Sequence, residues 1–201
     1  MVSAPSGGGK TSLTRASIDA LAKAGIAAEI SVSYTTRAPR PGEKNGVHYH
    51  FIDKPAFEAM VERGEFLEHA VIYGQHYGTA RAKTEERLAT GRDVILDIDW
   101  QGARQIRQHM PAAIGIYVLP PSMKQLEQRL RSRKSDTEAA IRQRLSLARE
   151  EMRHYEYYDY LVINEDFEQA KRELMSIFIA RRLARTEQEL RHKSLITKLL
   201  K

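Results

Sequence analysis

The stretch from Ser3 to Leu13, SAPSGGGKTSL, places three consecutive glycines directly before a lysine and a threonine. Glycines let backbone N–H groups turn towards phosphate oxygens, because a side chain would block that approach. Gly9, Lys10 and Thr11 fit the last three positions of the phosphate-binding loop G-x-x-x-x-G-K-[ST]. The spacing predicts that Lys10 reaches the β- and γ-phosphates of a nucleotide and that the Thr11 hydroxyl holds Mg²⁺. The residues expected around the triphosphate are Ser6, Gly7, Gly8, Gly9, Lys10, Thr11 and Ser12.

Two carboxylates follow a buried run further along the chain. Asp97 and Asp99, in VILDIDWQG, are two residues apart, so they share one face if the backbone is extended. In open parallel sheets, ligands bind beyond the carboxyl ends of the strands. One of these residues can therefore support Mg²⁺ or accept a hydrogen bond from a substrate. The alternative for Asp99 is that it only caps the next helix.

A third group of polar side chains lies between these two motifs. Arg37, Arg40, Tyr49 and Tyr77 can together surround a phosphate monoester. The Glu68 carboxylate can accept two hydrogen bonds from the N1–H and 2-amino groups of guanine, a pair of donors that adenine lacks. Each residue taken alone is more typical of an ordinary surface or edge strand.

Composition limits the classes of protein to consider. The chain has 201 residues, no cysteine and a formal net charge of +6. The absence of cysteine excludes disulfides and thiolate metal sites and fits a cytoplasmic location. No apolar run approaches the ~20 residues that a membrane span needs. The positive charge is compatible with nucleic acid, with a solvated basic helix surface, or with a pocket for small phosphates.

Apolar runs alternate with helical patterns and predict an α/β fold with a parallel sheet. The predicted strands are Glu29–Val32, Val94–Ile98, Ala113–Leu119 and Leu161–Ile163; the predicted helices are Thr11–Ala24, Thr79–Thr90 and a long stretch, Phe167–Lys201, broken near Thr186. Only Met1–Ser3 precede the glycine loop as a strand, and we expect this short strand to cost stability.

Two segments interrupt the alternation. We expect residues 33–92 to form an inserted mixed α+β lobe and residues 121–155 to form a basic helical lid, with two helices meeting near Lys134. The remaining segments, 1–32, 93–120 and 156–201, then make the core, the last of them with the C-terminal helices.

Taken together and in this order, the motifs resemble guanylate kinase of the bacterial type over essentially the whole chain. They are SAPSGGGKTSL, S-x-TTR-x-PR-x-GE-x-NG-x-x-Y, GEFLE, YG-x-x-YGT, LDIDWQG, DYLVIN and RHKSLITKLL. The resemblance implies a P-loop nucleoside monophosphate kinase fold: a central parallel sheet flanked by helices, with a GMP-binding lobe and a lid. It also implies Mg²⁺-dependent transfer of the γ-phosphoryl group of ATP to GMP, giving ADP and GDP, in purine nucleotide recycling. The resemblance extends the expected acceptors to dGMP.

The resemblance also implies a role for individual residues. Ser33, Arg37, Arg40, Tyr49 and Tyr77 would hold the GMP phosphate; Glu68, Thr79 and Asp99 would read guanine, with Asp97 in the same GMP-binding set. Arg129, Arg133 and Arg144 would arrive with the lid and act with Lys10 in catalysis, and Asn164 would lie near the adenine. No strong general base is expected, because the acceptor is a phosphate oxygen that is largely ionised at neutral pH (second pKa ~6).

Three other functions stay open at this point. One is a non-catalytic interaction module of the same fold, and another is a kinase acting on a different phosphate ester, such as a ribose bisphosphate. The retained Lys10, Thr11 and lid arginines disfavour the first, and the guanine-reading residues disfavour the second. A nucleic-acid binder is the weakest alternative, because no aromatic stacking platform is evident. Whether the basic tail Arg181–Lys201 mediates homo-oligomer formation also stays open.

Overall fold

The computed structural model describes residues 1–132 and 137–201. Its strands, in chain order, are β1 (Val2–Ser3), β2 (Ala28–Ile30), β3 (Tyr34–Thr35), β4 (His50–Phe51), β5 (Phe66–Ile72), β6 (Gln75–Ala80), β7 (Asp93–Ile95), β8 (Ile116–Leu119) and β9 (Tyr160–Ile163). The helices are α1 (Lys10–Lys23), α2 (Lys54–Glu62), α3 (Arg81–Ala89), α4 (Trp100–His109), α5 (Met123–Ser132), α6 (Glu138–Arg153), α7 (Phe167–Arg182), α8 (Arg185–Arg191) and α9 (Lys193–Leu199).

The core sheet is parallel, as predicted. β1 pairs with β8 and β8 with β9, while β2 pairs with β7. Val2 joins the three strands β1, β8 and β9 to the pair β2 and β7. Its N–H donates to the carbonyl of Leu96 at 2.9 Å, and its carbonyl accepts from the N–H of Ile98 at 3.3 Å. The strand order is therefore β2-β7-β1-β8-β9. This arrangement puts the end of β1 and the residues after β7 side by side at the carboxyl end of the parallel sheet.

A mixed four-stranded sheet, in the order β4-β3-β6-β5, lies within the predicted lobe. β5 and β6 form a hairpin whose tip is Tyr73-Gly74, with φ angles of 51° and 77°. Two successive positive φ angles are those of a type I′ turn, which matches the twist of a hairpin. The predicted helix Thr79–Thr90 was wrong at its start, because Thr79 and Ala80 complete β6 before α3 begins.

The main core lies between the parallel sheet and helices α1 and α7. Leu13, Val118 and Leu174 are fully buried there. Burying an aliphatic side chain of this size contributes about 1.5–3 kcal/mol. A separate cluster, which includes Leu126, Leu130 and Ile141, holds the two lid helices α5 and α6 together. The two lid helices therefore have an apolar core of their own, separate from the main core.

The C-terminal region is helical but more divided than predicted. Leu183 ends α7, and a second interruption falls at His192, whereas the sequence predicts one break near Thr186. The predicted junction of the lid helices, Lys134, lies outside the described residues. Within the described part of the chain, no helix combines the length and the apolar character needed to cross a bilayer.

Candidate active site

The loop between β1 and α1 is curved in a way that requires glycine. Gly7 and Gly9 have φ angles of 91° and 90°, in the left-handed region. A Cβ at Gly9 would also overlap the Nδ2 atom of Asn164. Because α1 begins at Lys10, its first N–H groups, which have no partner within the helix, face the loop. The loop thus has the backbone of an anion site at a helix N-terminus.

Lys10 and Thr11 converge on one carboxylate at the head of this loop. The ammonium nitrogen of Lys10 lies 2.5 Å from Asp97 Oδ1 and 3.0 Å from the carbonyl oxygen of Ile98. Thr11 donates its hydroxyl to Asp97 Oδ2 at 3.0 Å. We predicted Asp97 in the GMP-binding set, yet its contacts here are with side chains of the phosphate loop. These contacts place a lysine, a hydroxyl and a carboxylate together.

Asp99 has different partners from Asp97. Asp99 is the N-cap residue of α4 and accepts a hydrogen bond from the N–H of Gly102 at 2.9 Å. The capping alternative for Asp99 is therefore correct. The other oxygen of Asp99 accepts a hydrogen bond from the Gln101 side chain at 3.0 Å. Because a carboxylate oxygen can accept two hydrogen bonds, capping does not prevent Asp99 from also accepting one from guanine.

Glu68 is a buried carboxyl group on β5, with only 4% of its surface exposed. It accepts a hydrogen bond from the fully buried Thr79 hydroxyl at 2.5 Å. Burial raises the pKa of Glu68 to about 7 and the charge of Asp99 adds to the rise, while the Thr79 hydrogen bond and the charge of Lys10 oppose it. A carboxyl group at this pKa is poised to ionise when donors arrive.

The predicted phosphate-binding residues lie together on the lobe. The Arg37 guanidinium lies 5.4 Å from the centre of the Tyr49 ring, and the rings of Tyr49 and Tyr77 are 5.9 Å apart, edge to face. Burial, with the nearby charge of Asp97, raises the pKa of Tyr49 to about 12, so its hydroxyl stays a hydrogen-bond donor. One cation and two hydroxyls therefore occupy one small region.

Glu43 is a residue of this region that sequence reasoning missed. Its Oε1 accepts from Arg37 Nη2 at 2.9 Å and its Oε2 accepts from the backbone N–H of Arg40 at 2.7 Å. Arg40 itself is exposed, whereas Ser33 is buried at the start of the lobe. The signal was present, because a glutamate three residues after Arg40 in a Pro-Gly turn can reach back to backbone and guanidinium alike.

Two of the three predicted lid arginines contact the phosphate loop. Arg129 donates to the carbonyl of Asn164 at 2.7 Å and to that of Gly8 at 3.4 Å. Arg144 lies 3.3 Å from the Ser6 hydroxyl. Arg133, the third, lies outside the described residues. Asn164, predicted near the adenine, is buried and donates its side-chain amide to Gly8 at 2.9 Å, so in this structure it supports the loop.

A family model described as guanylate kinase matches residues 1–181. The chain belongs to the guanylate kinase family. It is 52% identical to guanylate kinase of Coxiella burnetii over 200 residues, which cover 100% of this chain and 95% of that protein. It is 50% identical to guanylate kinase of Aliivibrio fischeri, over 100% of this chain and 96% of that protein.

Solved structures agree with the sequence relatives. The crystal structure of guanylate kinase from Anaplasma phagocytophilum superposes with a TM-score of 0.73 at 32% identity, covering 94% of this chain and 92% of that one. The predicted P-loop kinase fold is therefore confirmed. The prediction of an enzyme, a nucleotide-binding transferase of the nucleoside monophosphate kinase class, is confirmed as well.

In this member of the family, one further carboxylate connects the phosphate loop, the lobe and the lid. Glu151 on α6 accepts from the backbone N–H of Ser6 at 3.2 Å and from the hydroxyl of Tyr73, at the hairpin tip, at 3.2 Å. The guanidinium of Arg144 lies 5.7 Å from the centre of the Tyr73 ring. Sequence reasoning missed both residues, because neither Glu151 nor Tyr73 stands in a motif with a chemical spacing.

Proposed function

We propose that the chain transfers the γ-phosphoryl group of ATP to GMP, giving ADP and GDP, and that Lys10, Glu68 and the lid arginines carry recognition and catalysis. The observation that carries the proposal is the buried Glu68 carboxyl group. It accepts a hydrogen bond from Thr79, and the charge of Lys10 is close enough to act on its pKa. A guanine-reading acceptor thus lies near the lysine of a phosphate loop. The family membership of the chain supports the same reaction.

ATP binds with its phosphates in the loop between β1 and α1. The backbone N–H groups around Gly7–Gly9 and the first turn of α1 surround the phosphate oxygens. Lys10 exchanges part of its contact with Asp97 for the β- and γ-phosphates. Ser6 and Ser12 belong to the predicted ATP-binding set, whereas Asn164, predicted near the adenine, supports the loop through its hydrogen bond to Gly8.

Thr11 and Asp97 would hold Mg²⁺ in this enzyme. Their oxygens lie 3.0 Å apart, and hydroxyl and carboxylate oxygens are the donors that Mg²⁺ prefers. The ion, when bound, neutralises charge on the phosphates of ATP. Mg²⁺ beside nucleotides is usually held by one or two protein oxygens, and Thr11 and Asp97 would supply these.

GMP binds on the lobe with its base at Glu68 and its phosphate at the arginines. The ionised Glu68 accepts from N1–H and the 2-amino group, while Thr79 and Asp99 complete the contacts to the base. The phosphate is held by Ser33, Arg37, Arg40, Tyr49 and Tyr77. Tyr49 lies close enough to Asp97, the partner of Lys10, for the Asp97 charge to help raise the pKa of Tyr49.

Catalysis in this arrangement is positioning and charge neutralisation. Arg129 and Arg144 already touch the phosphate loop, and we include Arg133 with them on the basis of its sequence position alone. These guanidinium groups neutralise the charge on the moving phosphoryl group and exclude water as the lid closes. No side chain has to remove a proton, because the GMP phosphate attacks in its ionised form.

The proposal is tested by an ADP-release assay with GMP, dGMP, AMP and UMP as competing acceptors. We expect GMP and dGMP to be phosphorylated and AMP and UMP to be at least about 100-fold poorer in kcat/KM, because neither adenine nor uracil presents the adjacent N1–H and 2-amino donors that Glu68 accepts from. Similar rates with all four would refute the role of Glu68. Phosphorylation of a ribose bisphosphate in place of GMP would favour the alternative ester kinase.

The cellular setting forms part of the same proposal. A cytoplasmic location places the chain beside ATP and GMP, its two small-molecule partners. The charge of +6 is then explained by phosphate recognition, without nucleic acid. Self-association through the basic tail stays a prediction, and sedimentation of the chain with and without residues 183–201 would test it.

A further inference from the structure

The first turn of α4 lies directly against the carboxyl group of Glu68. A Cβ built on Gly102 would overlap the Oε2 atom of Glu68 and would lie 3.0 Å from its Cδ and 3.4 Å from its Cγ. Non-bonded carbon atoms prefer a separation of about 3.5–4.0 Å. The carboxyl group of Glu68 therefore occupies the space that any side chain at position 102 would need.

Two hydrogen bonds fix α4 against β5 beside this contact. Gln105 donates its side-chain amide to the carbonyl of His69 at 2.8 Å and accepts from the N–H of His69 at 3.1 Å. Gln105 follows Gly102 by three residues, so the two lie on the same face of α4. Because His69 is next to Glu68 on the edge strand, α4 cannot move away without breaking this pair.

The remaining side of the Glu68 carboxyl group is held by the lobe. Thr79, opposite Glu68 on β6, donates to Oε1 at 2.5 Å, while Oε2 faces Gly102. One oxygen is thus fixed by a hydrogen bond and the other by packing against the helix. The carboxyl group has a single orientation, determined jointly by the lobe and the core.

We propose that Gly102 is a specificity-determining positioning residue of the GMP site, because the absence of a side chain there lets Glu68 lie across α4 in the orientation that guanine needs. This inference rests on the proposed reading of guanine by Glu68. Gly102 touches no substrate in this proposal and acts only through the position of Glu68. A methyl group at position 102 displaces the carboxyl group and spoils the contacts to N1–H and the 2-amino group together.

Kinetics of Gly102→Ala with GMP and inosine monophosphate as acceptors test the proposal. Inosine monophosphate lacks the 2-amino group, so a correctly placed Glu68 prefers GMP. We expect Gly102→Ala to raise the KM for GMP about tenfold or more, to leave the KM for ATP within about twofold, and to reduce the preference for GMP over inosine monophosphate. Gln108→Ala, an exposed change on the same helix, is the matched control and should change none of these.

Shortening Glu68 supplies a rescue test. Glu68→Asp withdraws the carboxyl group by one methylene and should weaken GMP binding in the otherwise unchanged enzyme. In the Gly102→Ala background the same change removes the overlap, so the double variant should bind GMP better than the two separate losses predict. Strictly additive losses, or equal losses for ATP and GMP in Gly102→Ala, would overturn the proposal.

A stability measurement keeps the proposal testable if Gly102→Ala folds poorly. Alanine is a better helix former than glycine, so Gly102→Ala should raise the melting temperature once Glu68→Ala has removed the carboxyl group. A further fall in melting temperature in that background would show that Glu68 is not what excludes a side chain. A parent enzyme without preference for GMP over inosine monophosphate would instead refute the proposed reading of guanine, whatever the melting data show.

Discussion

The ammonium group of Lys10, at the start of α1, lies 2.5 Å from the carboxylate of Asp97, which follows strand β7. The two meet because Val2, just ahead of the loop, pairs with the residues that follow β7. Strand pairing at the centre of the sheet therefore holds the lysine at the mouth of the phosphate loop before ATP arrives. Preorganised charge of this kind needs no rearrangement at the moment of transfer.

Replacing Lys10 should abolish turnover while leaving GMP binding largely intact. We expect Lys10→Ala to lower kcat by at least about 100-fold, because the charge on the transferred group loses a fixed cation. Calorimetry should give a Kd for GMP within about threefold of the parent value, since most of the proposed GMP contacts lie on the lobe. Lys23→Ala, at the exposed end of the same helix, is the control. Near-normal turnover in Lys10→Ala would rule out its assigned role.

Binding of GMP should strengthen as pH rises through neutrality. The pKa of Glu68 is raised to about 7 by burial, so the carboxylate that accepts from guanine forms only as pH rises through that value. We expect the KM for GMP to fall between pH 6 and 8. Glu68→Gln should raise this KM about 100-fold, with little effect on the KM for ATP.

The pH profile of Glu68→Gln separates the carboxyl group from the substrate. The GMP phosphate also titrates, with a second pKa of ~6, and its contribution persists in the variant. Subtracting the two profiles should leave one titration near pH 7. Identical profiles would contradict the role of Glu68. The raised pKa also means that Glu68 favours the unliganded fold below its ordinary pKa and that this contribution is lost as pH rises through about 7.

Replacing Gly9 should damage ATP use beyond its cost in stability. In Gly9→Ala, an alanine held at a φ of 90° destabilises the fold by about 1–2 kcal/mol. The new methyl group also overlaps the side-chain amide of Asn164. We expect kcat/KM for ATP to fall at least about tenfold. Gly25→Ala is a matched control, because its φ is 74° with open space around it. It should lower the melting temperature alone; equal kinetic effects of the two changes would mean that the Asn164 contact is irrelevant.

The buried amino group of Met1 should make stability fall in acid. It donates to the carbonyl of Ile114 at 2.7 Å, and burial, with the charge of Arg107, lowers its pKa from 8.0 to about 5. The neutral amine that the fold prefers stabilises it above pH 8, and this contribution is lost as pH falls towards 5.

Acetylation of Met1 removes the charge and so tests this prediction. A cavity of about 680 Å³ borders Met1. We expect the acetylated chain to lose less melting temperature than the unmodified one between pH 8 and pH 5. Parallel melting profiles would show that the amino group does not titrate on unfolding. Adding residues ahead of Met1 to lengthen β1 tests the separate prediction that the short strand costs stability.

The sequence predicts the core of the fold well because buried strands and glycine-terminated helices have strong local patterns. The parallel strands and α1 lie within a few residues of their predicted bounds. The start of α3 was missed for a physical reason. Thr79 fits a helical period by sequence, but its hydroxyl pairs with Glu68 across a hairpin, a non-local contact that periodicity cannot show.

Residues of the site could be predicted where they stand in a sequence motif with a known chemical role. Residues whose role depends on contacts between distant parts of the chain could not. Lys10 and Thr11 stand in a motif, so their convergence was foreseeable. Asp97 was assigned to the GMP-binding set, and its contacts with Lys10 and Thr11 were not foreseen, because they depend on the pairing of Val2 with the residues after β7. Gly102 stood in the quoted motif without a role, since only its distance from Glu68 reveals one.

Glu151 touches a phosphate-loop N–H with one oxygen and the hairpin tip of the lobe with the other. Glu151 therefore connects the phosphate loop directly to the lobe. If binding of ATP moves Glu151, the affinity for GMP changes by some factor, and thermodynamic reciprocity requires GMP to change the affinity for ATP by the same factor. Tyr73→Phe removes one of the two bonds, so a change in this reciprocal factor in the variant would show that the coupling passes through Glu151.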